Sequence, residues 1–179
     1  MKAEDVVQLI QHYRHDLLNH LQIIHGYASM GNINKVEEKV TEIISSYDEE
    51  RKLMYLQAVE FFIWVLEFPY MYEDLRLEYD IHTEKSSIAR SDIHITNQCK
   101  QLMRLIQDIK DEDVLVNIQL KVSNEIHHML RFYLAVYGLE NKQQLKTQLE
   151  RTSFPFSISL INEADSIACS FLVPCDEKR

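Results

Sequence analysis

Glycine is nearly absent from this chain. Of 179 residues only Gly26, Gly31 and Gly138 are glycine. A loop that wraps backbone amides around phosphates needs glycine for its tight turns and close approach, so the material for one is lacking. Cysteine is equally scarce: Cys99, Cys169 and Cys175 are odd in number and far apart. They make neither a disulfide framework nor a zinc site, and they suit a reducing cytosol. Basic residues are outnumbered, nineteen Lys and Arg against twenty-eight Asp and Glu, for a net charge of −9. No basic stripe is available to displace counterions from phosphates, so no nucleic-acid partner is expected. Long apolar runs are missing too. The longest, Phe61 to Leu66, falls far short of the roughly twenty residues of a membrane span. Glu4 and Asp5 stand where a signal segment would be basic. The expectation is a cytoplasmic protein with no membrane partner.

What is present is a globular balance, 46% hydrophobic and 26% charged, with enough chain for one large domain or two small ones. In the first segment Val6, Ile10, Tyr13, Leu17, Leu21, Ile24 and Ala28 recur at spacings of three and four. They predict a helix from about Ala3 to Met30, roughly 40 Å long at 1.5 Å per residue. Gly31 is placed to end it as a left-handed cap. Asn34 followed by Glu37 resembles an N-cap with its capping-box partner. Val36, Val40, Ile43 and Tyr47 then carry a second helix, and so short a connection makes the two antiparallel neighbours. The charged stretch from Asp48 to Lys52 either ends this helix or continues it. Stripes this narrow leave a lone hairpin marginal. Two hairpins packed together make a four-helix bundle with a continuous core, so the hairpin, residues 1–54, is expected to form a homodimer. The alternative is that it packs on its own C-terminal domain.

Residues 55–179 read as an α+β domain. A helix from about Val59 to Phe68 is expected to stop at Pro69. Leu75, Leu77, Tyr79 and Ile81 alternate as in a strand. Asp92 to Lys110 reads as a helix, Val114 to Val122 and Met129 to Val136 as strands, and Lys142 to Arg151 as a polar helix. Phe154 to Phe156, Ile158 to Ile161 and Ile167 to Val173 close the chain as strands. This order suggests a sandwich with its helices on one face of a sheet.

The chemistry concentrates between Tyr13 and Gln22. On a wheel of about 100° per residue with His15 at zero, Tyr13, Ile24, Leu17, Ile10 and Leu21 fall between about 160° and about 240°. His15 therefore stands opposite the apolar stripe, exposed in mid-helix. Asn19 lies at about 40°, Gln22 at about −20° and Gln11 at about −40°. Leu18 and Ile23 flank that face, at about −60° and about 80°, apolar where solvent alone would not favour them. His12, His20 and His25 also invite a metal reading. His12 and His15 do lie on adjoining faces, but no carboxylate or cysteine completes a closed ligand set, and His20 and His25 lie on other faces.

Arg14-His15-Asp16, Asn19 one turn on, then Leu21-Gln22 and Gly26, resemble the phospho-acceptor box of two-component signalling. The box is most similar to that of the sporulation initiation phosphotransferase B family of Gram-positive bacteria. Sensor kinases with a His-Asp-x-x-Asn box share its form. A kinase would follow the hairpin with an ATP-binding domain carrying an Asn-x-x-x-Asn pair for Mg²⁺ and then Asp-x-Gly-x-Gly. Here Arg104 and Asp108 align with the two asparagines, Val136 with the adenine-reading Asp, and Glu140 with the second glycine. Only Gly138 survives, and no glycine follows it. The C-terminal domain therefore resembles a kinase ATPase fold without its nucleotide motifs, as in the phosphotransferase B family.

The resemblance implies a relay. A phosphorylated response-regulator receiver gives its phosphoryl group to His15, and a second receiver, a sporulation transcription factor in the family, takes it. His15 is the expected nucleophile, supported by Arg14, Asp16 and Asn19. Gln11, Leu18, Gln22 and Ile23 are the expected receiver contacts. No cofactor of its own is expected, and Mg²⁺ would come from the receiver. Two other readings remain open: a non-catalytic dimeric adaptor for receivers, and an orphan sensor-kinase fragment.

Overall fold

The computed structural model describes residues 3–83, 86–125, 128–163 and 165–176, without the side chain of Asn162. The chain divides into two compact units, residues 1–51 and 52–179. The first is a helical hairpin of α1 (Ala3–Ser29) and α2 (Ile33–Tyr55), whose last residues belong to the second unit. Asp48 to Lys52 thus continue α2 rather than ending it.

The turn between the helices is built from backbone bonds. The Gly31 amide donates to the Ala28 carbonyl at 3.0 Å and the Asn32 amide to Tyr27 at 3.0 Å, with Gly31 at φ +69°. This is the double-bonded left-handed C-cap that only glycine adopts without strain. It fixes the chain direction at Asn32, whose side-chain Oδ1 accepts the Lys35 amide at 3.3 Å. Asn32 is therefore the N-cap of α2. The capping box expected at Asn34 and Glu37 does not form, because both residues already lie inside the helix.

The second unit comprises α3 (Val59–Met71), β1 (Leu75–His82), a single turn of 3₁₀ helix (Ala89–Ser91), α4 (Asp92–Ile109), β2 (Val116–Glu125), β3 (Met129–Tyr137), α5 (Lys142–Arg151), β4 (Ser159–Asn162) and β5 (Ser166–Pro174). The five strands form one sheet in the order β1-β2-β3-β5-β4. β1 and β2 run parallel and every other pair is antiparallel. The α+β class read from the sequence is what the chain adopts.

Alternation places the core. Val116, Ile118, Leu120 and Val122 of β2 are buried, as are Leu130, Phe132, Leu134 and Val136 of β3. Register pairs the two sets, Ile118 with Val136 and Val122 with Phe132. Ile95, Cys99, Leu102, Met103 and Ile106 of α4 are buried with them. Aromatic rings run through this core from Trp64 and Phe61 to Phe132, Phe171 and Phe156, at centroid spacings of 5.2–6.0 Å. β3 ends at Gly138, whose φ is +82° and whose missing Cβ would lie 3.1 Å from the Leu115 carbonyl.

Three further expectations are corrected. Pro69 does not stop α3, which runs on to Met71. The proline removes one donor, but the Tyr72 amide still reaches the Phe68 carbonyl at 3.1 Å. The Phe68 and Tyr72 rings, 4.7 Å apart, hold the last turn. Phe154 to Phe156 is not a strand. The Phe156 amide is satisfied at 2.7 Å by the Oε1 of buried Gln98 on α4, outside any ladder. β2 begins at Val116 rather than Val114, whose amide closes a turn onto Asp111.

One buried carboxylate joins α3 to α4. Asp92, the first residue of α4, accepts the Glu60 amide at 2.8 Å and the Phe61 amide at 2.9 Å. It thereby caps α3 from outside, where the helix dipole favours negative charge. Asp92→Ala is expected to destabilise the chain by about 2–3 kcal/mol, because a buried amide at Phe61 is left without a partner. Urea denaturation checks this, and a midpoint equal to the wild type's would contradict it.

Candidate functional site

α1 carries His15 and every residue expected to support it or to meet a receiver. Its 27 residues contain no proline, and Glu4 and Asp5 lie in the first turn, where negative charge favours the helix. No residue of α1 is buried. Val6, Leu9, His12, His20, Ile24, Gly26 and Tyr27 are half-buried. Ile10, Leu17 and Leu21 are 52%, 39% and 51% exposed. The apolar stripe expected to form one core therefore divides in two. One partner helix covers only one flank of a stripe this wide, and Val6, Ile24 and Tyr27 form the more covered flank. The flank of Ile10, Leu17 and Leu21 stays open.

Across the hairpin, Tyr13 is the tie. Its ring lies 6.2 Å from that of Tyr47, and its hydroxyl donates to Glu50 Oε1 over a long 3.4 Å. Desolvation by partial burial, more than the neighbouring charge of Glu50, raises the Tyr13 phenol above its ordinary range. Desolvation also raises the Glu50 carboxyl, against the opposing hydrogen bond from Tyr13. Sequence reading missed this contact. Its only signal is that Glu50 follows Tyr47 by three residues, which puts both on one face of α2.

Two residues after Tyr13 stands His15, with a side chain 71% exposed. Its Nδ1 lies 3.3 Å from Asp16 Oδ1 and 3.3 Å from Asn19 Nδ2. The structure thus brings together three of the expected residues. Asn19 is one turn after His15, and helical side chains lean toward the N-terminus, so its amide falls back onto the ring. Both contacts engage the same nitrogen. Arg14 is exposed and makes no hydrogen bond or ion pair among the described residues, so the structure does not join it to the ring. Gln11, Leu18, Gln22 and Ile23 are all exposed, Leu18 by 54% and Ile23 by 42%. His20 faces the other way, with its Nδ1 buried and unpartnered among the described residues. No group of three or more His, Cys, Asp or Glu among the described residues is arranged to hold a metal ion. Residues 1–56 match the family model described as "Sensor_kinase_SpoOB-type, alpha-helical domain".

The resemblance read from the histidine box holds.

Over 103 residues the chain is 27% identical to sporulation initiation phosphotransferase B of Bacillus subtilis (strain 168), covering 58% of this chain and 54% of that protein. The match thus spans about half the length of that relative. Among solved structures, the nucleotide-free catalytic domain of histidine kinase ThkA is similar with a TM-score of 0.46 and 11% identity, over 63% of this chain and 86% of that one. Histidine kinase ThkA in complex with response regulator protein TrrA gives a TM-score of 0.47 and 10% identity, over 93% and 61%. The α+β architecture above stands on its own strand order.

In the second unit, Arg104 and Asp108 are exposed on α4 and Val136 is buried on β3. A small apolar pocket lies between α4, α5 and the sheet. Leu102, Met103, Leu134, Val136, Leu145 and Cys169 are among its lining residues, and no residue lining it carries a side-chain oxygen or nitrogen. Burial pushes the Cys169 thiol up to about 12, so it stays protonated and inert near neutral pH. No helix among the described residues is long and apolar enough to cross a membrane.

The raised Glu50 carboxyl has a consequence for stability. A carboxyl raised on folding penalises the folded state once it ionises. The penalty is absent below its ordinary pKa of 4.5 and complete above the raised value. Glu50→Gln removes the charge and keeps an acceptor for Tyr13. The variant is expected to melt above the wild type at pH 7, with the difference shrinking to nothing by about pH 4. Circular-dichroism melts across that range would contradict this if the difference grew as pH fell.

Proposed function

We propose that this protein is a phosphorelay phosphotransferase in which His15 takes a phosphoryl group from the aspartyl phosphate of one response-regulator receiver and passes it to the Asp of a second. The observation that carries the proposal is the His15 ring itself. It is exposed in mid-helix, and Asp16 and Asn19 both engage it at Nδ1. The likeness to a sporulation initiation phosphotransferase supports it.

The chemistry follows from that ring. With Nδ1–H donated to Asp16, the lone pair resides on Nε2. It attacks phosphorus in line, a P–N bond forms, and the P–O bond to the receiver's aspartate breaks. The bonding pair leaves on the aspartate carboxylate. The positive charge that develops on the imidazole is shared through Nδ1–H with Asp16, as carboxylates do for catalytic histidines elsewhere. Delivery to the second receiver is the reverse. Such a transfer needs positioning and charge neutralisation more than covalent machinery. Mg²⁺ is proposed to come with the receiver. Gln11, Gln22, Leu18 and Ile23 ring the nucleophile with a polar and apolar docking surface, and Arg14 offers its fork to the acidic side of a receiver.

The open flank of α1 supports a homodimer. Ile10, Leu17 and Leu21 recur at helical spacing and stay exposed. A second hairpin laid on this flank completes a four-helix bundle and leaves the opposite, His15-bearing face in solvent. The lack of glycine after Gly138 and the wholly apolar pocket support a transfer that uses no ATP. A cytoplasmic relay protein without nucleic acid or membrane among its partners fits the charge balance.

Two outcomes test this. Mixed with a radiolabelled phospho-receiver and no ATP, the protein is expected to take up label stable in base and labile in acid. His15→Ala is expected to take up none while still binding the receiver. Receiver binding without label on the wild type, across several receivers, would replace the phosphotransferase by an adaptor. Separately, Leu21→Asp is expected to shift the sedimenting mass from two chains to one, since it buries an unpaired charge in the bundle. A wild type that sediments as a single chain would overturn the dimer.

A further inference from the structure

We propose that Gly26 leaves room on α1 for an apolar side chain of the docked receiver and so sets receiver affinity, an inference that rests on the phosphotransferase reading above. Glycine is the poorest helix former after proline, and nothing within the chain calls for one here. Gly26 lies inside α1, three residues before its end. Gly31 and Gly138 have the left-handed φ that favours glycine, and Gly26 does not. A Cβ built on Gly26 would meet no atom within 4 Å, its chain neighbours and the backbone of its own helix aside. Alanine would therefore fit, and it would favour the helix. The demand for an empty position comes from outside the chain.

Helical geometry says on which side that demand lies. Gly26 follows His15 by eleven residues, almost three full turns and about 16 Å along the axis. On the wheel it falls at about 20°, between His15 at zero and Asn19 at about 40°. The exposed flank of Ile10, Leu17 and Leu21, proposed above for the second hairpin, lies at about 200–240°, nearly opposite. A hairpin laid there leaves Gly26 uncovered. A receiver that reaches His15 approaches over the face of Gly26. A standard docking patch of about 800 Å² per partner is roughly 30 Å across, so one patch spans both residues.

Around Gly26 the helix makes a hole. Ile23, Gly26, Tyr27 and Met30 stand at i, i+3, i+4 and i+7, the four positions between which a knob from a facing element seats. The Met30 amide donates to the Gly26 carbonyl at 3.2 Å, so helical geometry holds through the last corner. Ile23 is exposed and Met30 is 70% exposed, while Tyr27 is half-buried. Three corners are thus aliphatic, aromatic or thioether, and the fourth has no side chain. A hole of this kind takes an apolar knob, since a charged one would be desolvated without a partner.

The test uses the whole chain, a radiolabelled phospho-receiver that labels the wild type, and the variants Gly26→Ala and Gly26→Leu. Both introduce good helix formers, so neither is expected to melt below the wild type. The rate of label transfer to His15 is read against receiver concentration. The half-saturating concentration is expected to rise about tenfold in Gly26→Leu and about twofold in Gly26→Ala, on the scale of overpacking a close contact. The rate at saturation is expected to stay within about twofold, because the contact serves binding rather than the chemical step. Sedimentation is expected to give the wild-type mass. A Gly26→Leu that saturates like the wild type overturns this inference and leaves the phosphotransferase standing. Equal losses in the two variants assign the glycine to helix flexibility rather than to space and also overturn it. So does a loss that comes with a lower sedimenting mass, which assigns Gly26 to an interface between hairpins. A Gly26→Ala that melts early shows that the chain itself needs the glycine, and overturns it as well. A wild type that no receiver labels overturns the parent reading.

Discussion

Two helices cannot close a core, and that constraint governs the N-terminal hairpin. Each helix of a hairpin has one neighbour, so an apolar stripe wider than a single contact must leave part of itself uncovered. α1 has such a stripe and buries none of its residues. The flank of Val6, Ile24 and Tyr27 is half-buried, the flank of Ile10, Leu17 and Leu21 stays exposed, and His15 stands on the side away from both. Cover for the second flank can come from a second hairpin without touching the imidazole. The same geometry that makes the hairpin marginal alone leaves the His15 ring exposed.

The second unit meets the opposite condition. Its five strands and three helices bury a continuous core, and its backbone ends are tied by side chains rather than by glycine. Asp92 caps α3 and Gln98 satisfies the Phe156 amide. Of the unit's residues only Gly138 supplies a left-handed glycine, at the end of β3. Val136 occupies the position where a nucleotide-reading acid aligned, and it is buried against leucines lining an apolar pocket. With its inward positions given to packing, the pocket is lined by apolar side chains alone.

Much of this was legible because it is periodic. Alternation in β1 and from Val114 to Val122 pointed to strands whose neighbours the register then supplied. Helical spacing placed His15 opposite the apolar stripe and Asn19 beside it, both as found. What failed was local chemistry decided by something distant. Pro69 stays helical because Phe68 and Tyr72 hold the turn around it. Phe154 to Phe156 alternates like a strand but finds its hydrogen bond on α4. Asn32 rather than Asn34 caps α2 because the preceding turn is already closed on Gly31. The Tyr13–Glu50 contact was invisible for the same reason: spacing within one helix does not report which residues of another lie opposite.

The site contains an ambiguity that the sequence could not show and that bears on how it works. Asp16 and Asn19 both meet His15 at Nδ1, yet they ask for different tautomers. A carboxylate accepts, so it requires a proton on Nδ1. An amide NH₂ donates, so it requires that nitrogen bare. The first arrangement frees the Nε2 lone pair and the second blocks it with hydrogen. Turning the Asn19 amide so that its oxygen faces the ring would let both residues accept the same N–H. The two forms of the His15 ring would then differ by a proton position and an amide rotation, both within one turn of helix and with no movement of the backbone.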